Sequence, residues 1–323
     1  MITFSSHVQG ASHLKYDPPV PCQDYSGAFA SKDPPYGVAA IADGHGSAKY
    51  IRCATGSLLA VEVALAAAKE YMESPEIEGR TPIAKMILNL ASVKEYMKSS
   101  DIEERIPMSQ VKSNDVKAEK EIDGMLKHLK TYVVYKWRER VQQHFEENPL
   151  SENELEICSK EKLDMSNDEW YVTLYGSTLI FAVLFPFGAI AFQIGDGGCV
   201  LLEENEEPKL LEDIFDKVQE GGKTNSLCSS NAAENFKHVW LHSRNLKGIT
   251  VASDGVTDSF DRSNDSYLKF TKTLFQNFET SPTATVKTKL DEYLPELSRQ
   301  GSADDMSIAG VFILDERIEE AEK

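Results

Sequence analysis

The strongest constraint on the fold is a series of short apolar runs, separated by turn residues, in the second half of the chain. Between residues 169 and 314 these runs are YVTLYG, STLIFAVLF, AIAFQIG, CVLLE, HVWLHS, GITVASDG and SIAGVFIL. Runs of this length and composition predict the strands of an antiparallel sandwich. Several of them are apolar at nearly every position, and such strands need cover on both faces. The pattern therefore predicts two sheets packed together.

Helical patterns elsewhere in the chain supply the outer layers of such a sandwich. Apolar residues recur at every third or fourth position after Ser47, which predicts a helix that this serine caps. The segment MLKHLKTYVVYKWRERVQQHF has the same spacing and stops at Asn148-Pro149, so it predicts an amphipathic helix. Its apolar positions are Leu126, Leu129, Val133, Trp137, Val141 and Phe145. Further helical sequence spans about residues 266–297, and strand patterns occur at ITFSSHVQGA and YGVAAIA.

These elements predict an α+β fold: two packed antiparallel β-sheets flanked by helices, an αββα four-layer sandwich. With 323 residues, of which 41% are hydrophobic, the chain can form a single large domain covering residues 1–323. The charged region at about 69–128 is predicted to be a helical insertion in this domain. Its polar part is expected to be exposed, either as a lid or docking surface or as a solvated loop without special function.

Composition argues against several classes of partner. A net charge of -18 disfavours binding to nucleic acid or to an anionic membrane. The five cysteines are scattered without a CxxC pair, which disfavours zinc and disulfides and favours a reducing, cytoplasmic location. The first residues lack the pattern of a signal peptide. The apolar stretch 177–195 is interrupted by Pro186 and Gly188, so it is interpreted as two buried strands joined by a turn.

Aspartates stand at the ends of the apolar runs. Asp43, Asp196 and Asp254 close the runs AAIAD, FQIGD and TVASD, each before a glycine, and Asp304 precedes the strand SIAGVFIL. A carboxylate at the end of a buried strand is unfavourable unless it is paired or bound to a cation. Oxygen ligands with little lysine or arginine nearby favour Mg²⁺ or Mn²⁺ over zinc. A further Asp-Gly pair, at Asp123, lies in charged surroundings and is interpreted as a turn.

The ordered series QD, DGHG, GST, GD, SDG and DDMS resembles the metal-dependent serine/threonine protein phosphatases of type 2C, particularly their bacterial branch. The match runs from about residue 5 to 314, apart from the insertion. Each motif is weak alone, and the ordered set is specific. The resemblance implies the same four-layer fold and the hydrolysis of phosphoserine and phosphothreonine on proteins. It also implies a water activated by a binuclear Mg²⁺ or Mn²⁺ centre, with two or three ions in all.

The resemblance assigns metal ligands residue by residue. Asp43 would bridge two metals, and the carbonyl of Gly44 would ligate one of them. Asp254 and Asp304 would complete the other site. Asp196 would join a third, weaker site together with Asp254, although a plain turn role is an equal alternative for Asp196.

Three more residues receive roles from the resemblance. Asp24 would hold metal-bound waters, and His45 would be the general acid that protonates the leaving alkoxide. The alternative for His45 is to cap the helix that follows it. Asp305 replaces a family asparagine and is expected to orient its loop.

Two departures from the family pattern concern metal and phosphate binding. Gln23 stands where the family usually has glutamate, which removes one partner for metal-bound water. Pro19 stands where the family has the arginine that grips the substrate phosphate. His13, Lys15 or Arg52 are the candidates to replace that arginine.

Three functions are therefore compared. The leading one is a metal-dependent phosphoprotein phosphatase, with a phosphoprotein substrate and a cognate serine/threonine kinase as partners. The missing arginine motivates a non-catalytic phosphoprotein-binding or scaffold protein with the same fold. The third is a hydrolase of small phosphoesters. The sequence leaves the oligomeric state open.

Overall fold

The computed structural model describes residues 1–73, 108–211, 224–243, 245–261 and 265–314. The strands in these ranges are β1 (Ile2–Val8), β2 (Asp24–Lys32), β3 (Pro35–Asp43), β4 (Leu179–Phe185), β5 (Gly188–Ile194), β6 (Gly198–Glu203), β7 (Lys209–Leu210), β8 (Lys237–His242), β9 (Leu246–Ala252) and β10 (Met306–Phe312). The α-helices are α1 (Cys53–Glu73), α2 (Met108–Glu147), α3 (Glu152–Lys160), α4 (Ala232–Asn235), α5 (Asp254–Thr257), α6 (Ser266–Thr280) and α7 (Thr283–Gln300). Short 3-10 helices occur at His13–Lys15 and Trp170–Tyr175. None of the helices in the described ranges is both long and apolar enough to cross a membrane.

Two five-stranded sheets form the centre of the molecule. Their strand orders are β1-β10-β9-β6-β7 and β2-β3-β4-β5-β8, and neighbouring strands pair antiparallel. Strand β3 shows why both faces are apolar. Its Ala39 and Ile41 pack against the other sheet, near Val251 and Val311, whereas Val38 faces the helices. Because side chains alternate along a strand, the continuous apolar run covers both faces, as the sequence predicts.

Helices cover the outer faces of both sheets and complete the αββα sandwich. Helices α1 and α2 pack on the β2–β8 sheet, and the buried indole of Trp137 donates to the Gly56 carbonyl at 3.0 Å. Helices α6 and α7 pack on the other sheet, where the rings of Phe4 and Phe278 stack with centroids 5.1 Å apart. The predicted fold class is therefore confirmed. The interpretation of residues 177–195 as two strands joined by a turn is confirmed by β4 and β5.

The predicted strand YVTLYG is wrong, because Trp170–Tyr175 forms a 3-10 helix. Its buried residues Val172, Leu174 and Tyr175 belong to the core between the sheet and helices α1 and α2. The Tyr175 carbonyl lies against Gly56, where an added Cβ would be 2.0 Å away. The periodicity of a short apolar run does not distinguish a strand from a helical turn. Here packing against the neighbouring helices determined the conformation.

The predicted start of the first helix is also wrong. Helix α1 begins at Cys53, so Ser47 is not its cap. On both sides of Ser47 the backbone is hydrogen-bonded to the segment that precedes β4. The His45 amide donates to the Gly176 carbonyl at 3.1 Å, and the Arg52 amide donates to the Leu174 carbonyl at 2.8 Å. These bonds hold the backbone in a non-helical path until Cys53.

Asp123 and Gly124 lie inside α2, so the interpretation of this pair as a turn is wrong. The Asp123 carboxylate pairs with Lys127 at 2.7 Å and lies 2.9 Å from His238 Nε2. These contacts and the helix pattern around them override the local Asp-Gly signal. The predicted insertion at about 69–128 includes the end of α1 and the first half of α2, and its residues 74–107 lie outside the described residues.

Candidate active site

Four strand ends bring the predicted aspartates together at one edge of the sandwich. Asp43 ends β3, Asp196 follows β5, Asp254 follows β9, and Asp304 precedes β10. Carboxylate oxygens of Asp43, Asp196 and Asp254 lie within 4.8 Å of one another. The two sheets contribute different members of this cluster, so their packing creates it.

The cluster lies in a cleft of about 490 Å³. The sequence-predicted residues that line it are Asp43, Gly44, His45, Asp196, Asp254 and Asp304. Thr224 also lines the cleft, and its hydroxyl donates to the Asp196 carboxylate at 3.0 Å. Nothing in the sequence pattern indicated Thr224, because it reaches the cleft from a loop distant from the aspartate motifs.

Asp24 lies behind Asp43 and is not among the residues that line the cleft. The two residues are paired across β2 and β3, and Asp24 is only 3% exposed. Its carboxylate accepts a hydrogen bond from the Ser307 hydroxyl at 2.8 Å. Burial raises the pKa of Asp24 to about 7, and the Asp305 charge adds to the rise, while hydrogen bonds from Ser253 and Ser307 oppose it.

Two carboxylates of the cleft itself, those of Asp43 and Asp254, also hold their protons more tightly than usual. Burial first, and then the charges of Asp24 and Asp254, raise the pKa of Asp43 well above its ordinary value. Burial and the charges of Asp196 and Asp304 raise the pKa of Asp254 to about 6. Crowded carboxylates without a compensating cation repel one another. Oxygen donors in this number and spacing fit a hard divalent ion such as Mg²⁺ or Mn²⁺.

His45 lies on the wall of the same cleft. It precedes the start of α1 by eight residues, so it does not cap this helix. Its Nε2 is buried and has no hydrogen-bond partner within the part of the chain that the structure describes. Burial lowers the pKa of His45, the Asp196 charge opposes this effect, and the Lys49 charge adds to it. An unpartnered buried nitrogen beside the carboxylates is suited to a group that arrives with a ligand.

Asp305 orients the loop around the cleft, as the sequence analysis expects. Its carboxylate accepts hydrogen bonds from the backbone amides of Gly10 at 2.5 Å and Gln23 at 2.6 Å. The Nδ1 of His13 lies 3.0 Å from the same carboxylate. An added Cβ at Gly10 would be 2.4 Å from the Asp304 backbone carbon, so only glycine fits this approach.

Arg52 is not available to grip a phosphate in the cleft, which corrects that suggestion. Its guanidinium binds Glu154 at 2.8 Å, the Asn148 carbonyl at 2.8 Å and the Tyr175 hydroxyl at 3.0 Å. Neither Arg52 nor Lys15 lines the cleft. The cleft is lined instead by Lys49, which the sequence analysis overlooked. Its position just after the DGHG motif was the available signal.

Comparison with known proteins points to one family. The family described as "Protein phosphatase 2C" matches residues 9–295 of this chain. No curated protein matches the sequence significantly.

Similar solved structures include a bacterial serine phosphatase, which is 11% identical with a TM-score of 0.50 and covers 98% of this chain and 100% of that chain. A bacterial serine phosphatase with an arginine-to-lysine mutation is 11% identical with a TM-score of 0.51, covering 98% and 100%. A serine/threonine phosphatase from Staphylococcus aureus is 11% identical with a TM-score of 0.47, covering 96% and 94%. The first two likenesses show that the fold is shared.

Proposed function

Because this chain belongs to the protein phosphatase 2C family, a family of protein serine/threonine phosphatases, we propose that it removes phosphate from phosphoserine and phosphothreonine of a protein substrate. The observation that carries the proposal is the cluster of Asp43, Asp196 and Asp254, whose carboxylate oxygens lie within 4.8 Å of one another in one cleft. We include in this proposal a single catalytic domain and a cognate serine/threonine kinase that phosphorylates the substrate.

Mg²⁺ or Mn²⁺, as two or three ions, is the proposed cofactor. Asp43, Asp196 and Asp254 would hold the metal, with Asp304 and the backbone of Gly44 at the same cleft wall. When bound, such ions neutralise the charge of a phosphate monoester and make water a nucleophile near neutral pH. Asp24, behind Asp43, would act through hydrogen bonds that orient the site.

The protein fixes Asp43 by clamping its backbone. The Asp43 amide donates to the Thr178 hydroxyl at 3.0 Å, and the Thr178 amide donates to the Asp43 carbonyl at 2.8 Å. Because Thr178 binds both the amide and the carbonyl of Asp43, the end of the strand is fixed and the carboxylate keeps its position when a substrate binds.

His45 is the proposed proton donor for the leaving serine or threonine oxygen. An alkoxide is a poor leaving group unless it is protonated as the bond to phosphorus breaks. Burial lowers the pKa of His45 in the free protein. A phosphate dianion bound beside the ring would favour the protonated imidazolium.

The test compares Asp254→Asn with Asp168→Asn, a matched change at an exposed aspartate that does not line the cleft. Dephosphorylation of a phosphoserine peptide is measured with Mn²⁺ and with EDTA. We expect EDTA to abolish turnover. Asp254→Asn should lower kcat/KM at least about 100-fold, since metal ions stabilise the transition state by several kcal/mol. Asp168→Asn should behave as the wild type.

Other outcomes separate the alternatives. Phosphopeptide binding without turnover, unaffected by metal, would point to a phosphoprotein-binding protein. Faster turnover of nucleotides or sugar phosphates than of the phosphopeptide would point to a small-phosphoester hydrolase. Absence of Mn²⁺ binding, measured by calorimetry on the folded protein, would refute the metal-dependent mechanism.

A further inference from the structure

The candidate cleft has an excess of negative charge. Three carboxylates lie with oxygens within 4.8 Å of one another, and Asp304 and Asp305 line the same cleft. Two divalent ions would offset most of the charge of the five carboxylates, and a phosphate dianion binds more strongly where a cationic side chain faces it as well. Among the described residues that line the cleft, the basic ones are His13, His45 and Lys49.

Two of these three residues already have other partners or roles. His13 is held by Asp305, with 3.0 Å between its Nδ1 and the carboxylate oxygen. His45 is the proposed proton donor to the leaving oxygen, which lies on the far side of phosphorus from the attacking water. Lys49 carries an ammonium group that forms no ion pair with any residue in the described ranges. Lys49 is therefore the side chain left to face the phosphoryl oxygens.

The ammonium of Lys49 is positioned by the aromatic ring of Tyr50, which lies beside the ring of His45. Its Nζ lies 4.6 Å from the centroid of the Tyr50 ring, and the Tyr50 ring is 4.8 Å from the ring of His45. A cation over an aromatic face is attracted by the ring. Gly176 makes room for both rings, because an added Cβ would be 2.5 Å from Tyr50 Cδ1 and 2.9 Å from His45 Cδ2. The Tyr50 ring therefore places the Lys49 ammonium on the same wall of the cleft as His45.

We propose that Lys49 is a phosphate-binding residue of this cleft, whose ammonium donates hydrogen bonds to non-bridging oxygens of the substrate phosphoryl group. This inference rests on the proposed function, because it identifies the residue that holds the reacting phosphate. A flexible lysine presents a compact charge with rotatable donors, so it can contact the phosphate without the fixed fork of an arginine.

The experiment measures phosphate binding separately from turnover. Inorganic phosphate is titrated by calorimetry into the Mg²⁺-loaded wild type, Lys49→Gln and Lys49→Arg. Lys69→Gln is the matched control, since Lys69 is exposed on α1 and does not line the cleft. Thermal unfolding checks that each variant is folded. The same proteins are assayed with a phosphoserine peptide and Mn²⁺.

We expect Lys49→Gln to weaken phosphate binding and to raise KM for the phosphopeptide, each on the order of tenfold, with kcat changed much less. Lys49→Arg should restore most of both, and Lys69→Gln should match the wild type. A folded Lys49→Gln protein with wild-type phosphate affinity and KM would overturn the inference. So would a loss that Lys49→Arg fails to restore.

Failure of the proposed function would give a different result. In that case the wild type would not turn over the phosphopeptide, whereas its phosphate affinity would still fall in Lys49→Gln. If the wild type turns over the phosphopeptide and Lys49→Gln keeps the wild-type phosphate affinity, the proposed function stands and only the role of Lys49 is refuted.

Discussion

Replacing Asp24 by asparagine should stabilise the metal-free protein. Asp24 is 3% exposed and lies directly opposite Asp43 across two strands. Burial, together with the Asp305 charge, raises its pKa from 3.8 to about 7. Asparagine keeps an acceptor for the Ser307 hydroxyl and adds an amide that can donate to Asp43. The substitution therefore removes a buried charge without removing the hydrogen bond that holds the side chain.

The magnitude follows from proton linkage. Because its folded-state pKa is raised, the folded protein keeps the Asp24 proton at pH values where the unfolded chain has lost it. The free energy of unfolding therefore falls as pH rises from 3.8 to about 7. Above both pKa values the full penalty is about 4 kcal/mol, since one pKa unit corresponds to about 1.36 kcal/mol. We expect Asp24→Asn to recover about 2–4 kcal/mol at pH 8, or a rise in Tm of about 3–6 °C for a chain of 323 residues.

The assay is thermal unfolding of wild type and Asp24→Asn in EDTA at pH 8 and pH 5. The gain at pH 5 should be less than half of that at pH 8, because Asp24 is then protonated in the folded wild type. Saturating Mn²⁺ should also reduce the gain, since a nearby cation favours the ionised carboxylate. Asp168→Asn is the exposed control. A lower Tm for Asp24→Asn at pH 8, or an equal gain at both pH values, would refute the reasoning.

The remaining predictions concern the histidine, a close helix contact and the arginine outside the cleft. His45→Gln should lower kcat on a phosphoserine peptide by about 100-fold or more, yet affect p-nitrophenyl phosphate much less, since p-nitrophenolate leaves without a proton; equal losses on both substrates would contradict proton donation. Gly56→Ala should lower the free energy of unfolding by about 1–3 kcal/mol in a denaturant titration, because the new Cβ would be 2.0 Å from the Tyr175 carbonyl oxygen. If the variant is instead more stable, as alanine usually is in a helix, the backbone near Tyr175 moves away without cost and the reasoning is wrong. Arg52→Gln should lower Tm by breaking the 2.8 Å pair with Glu154 but leave KM of the folded enzyme unchanged; a raised KM would restore Arg52 as a phosphate ligand.

The strands that the sequence predicted best are those buried on both faces. Strands β4, β5 and β10 are buried at every position, so their apolar runs are continuous and need no knowledge of their neighbours. Strand β2 was missed because it is an edge strand with small and polar residues, DYSGAFASK, and its burial is incomplete. Its pairing with β3 depends on contacts that no local pattern encodes.

Some residues of the candidate site could be predicted from the local sequence, and others could not. Asp43, Asp196, Asp254 and Asp304 could be singled out because a carboxylate that ends an apolar run is unusual anywhere in a sequence. Lys49 follows the DGHG motif closely, but this position alone is a weak signal, because an isolated lysine after a loop is normally a solvated side chain. Only the packing of neighbouring rings shows where its ammonium lies.

The sequence by itself determined the layer architecture and the residue types at the strand ends, because both follow from local periodicity and from the unfavourable burial of charge. Tertiary structure decided which residues meet. The stacking of the two sheets brings Asp43 from one and Asp254 from the other into one cleft, and places Asp24 behind it. It also engaged Arg52 with Glu154 and left Lys49 beside His45. Such contacts join residues distant along the chain, so they depend on the packing of whole layers rather than on any local pattern.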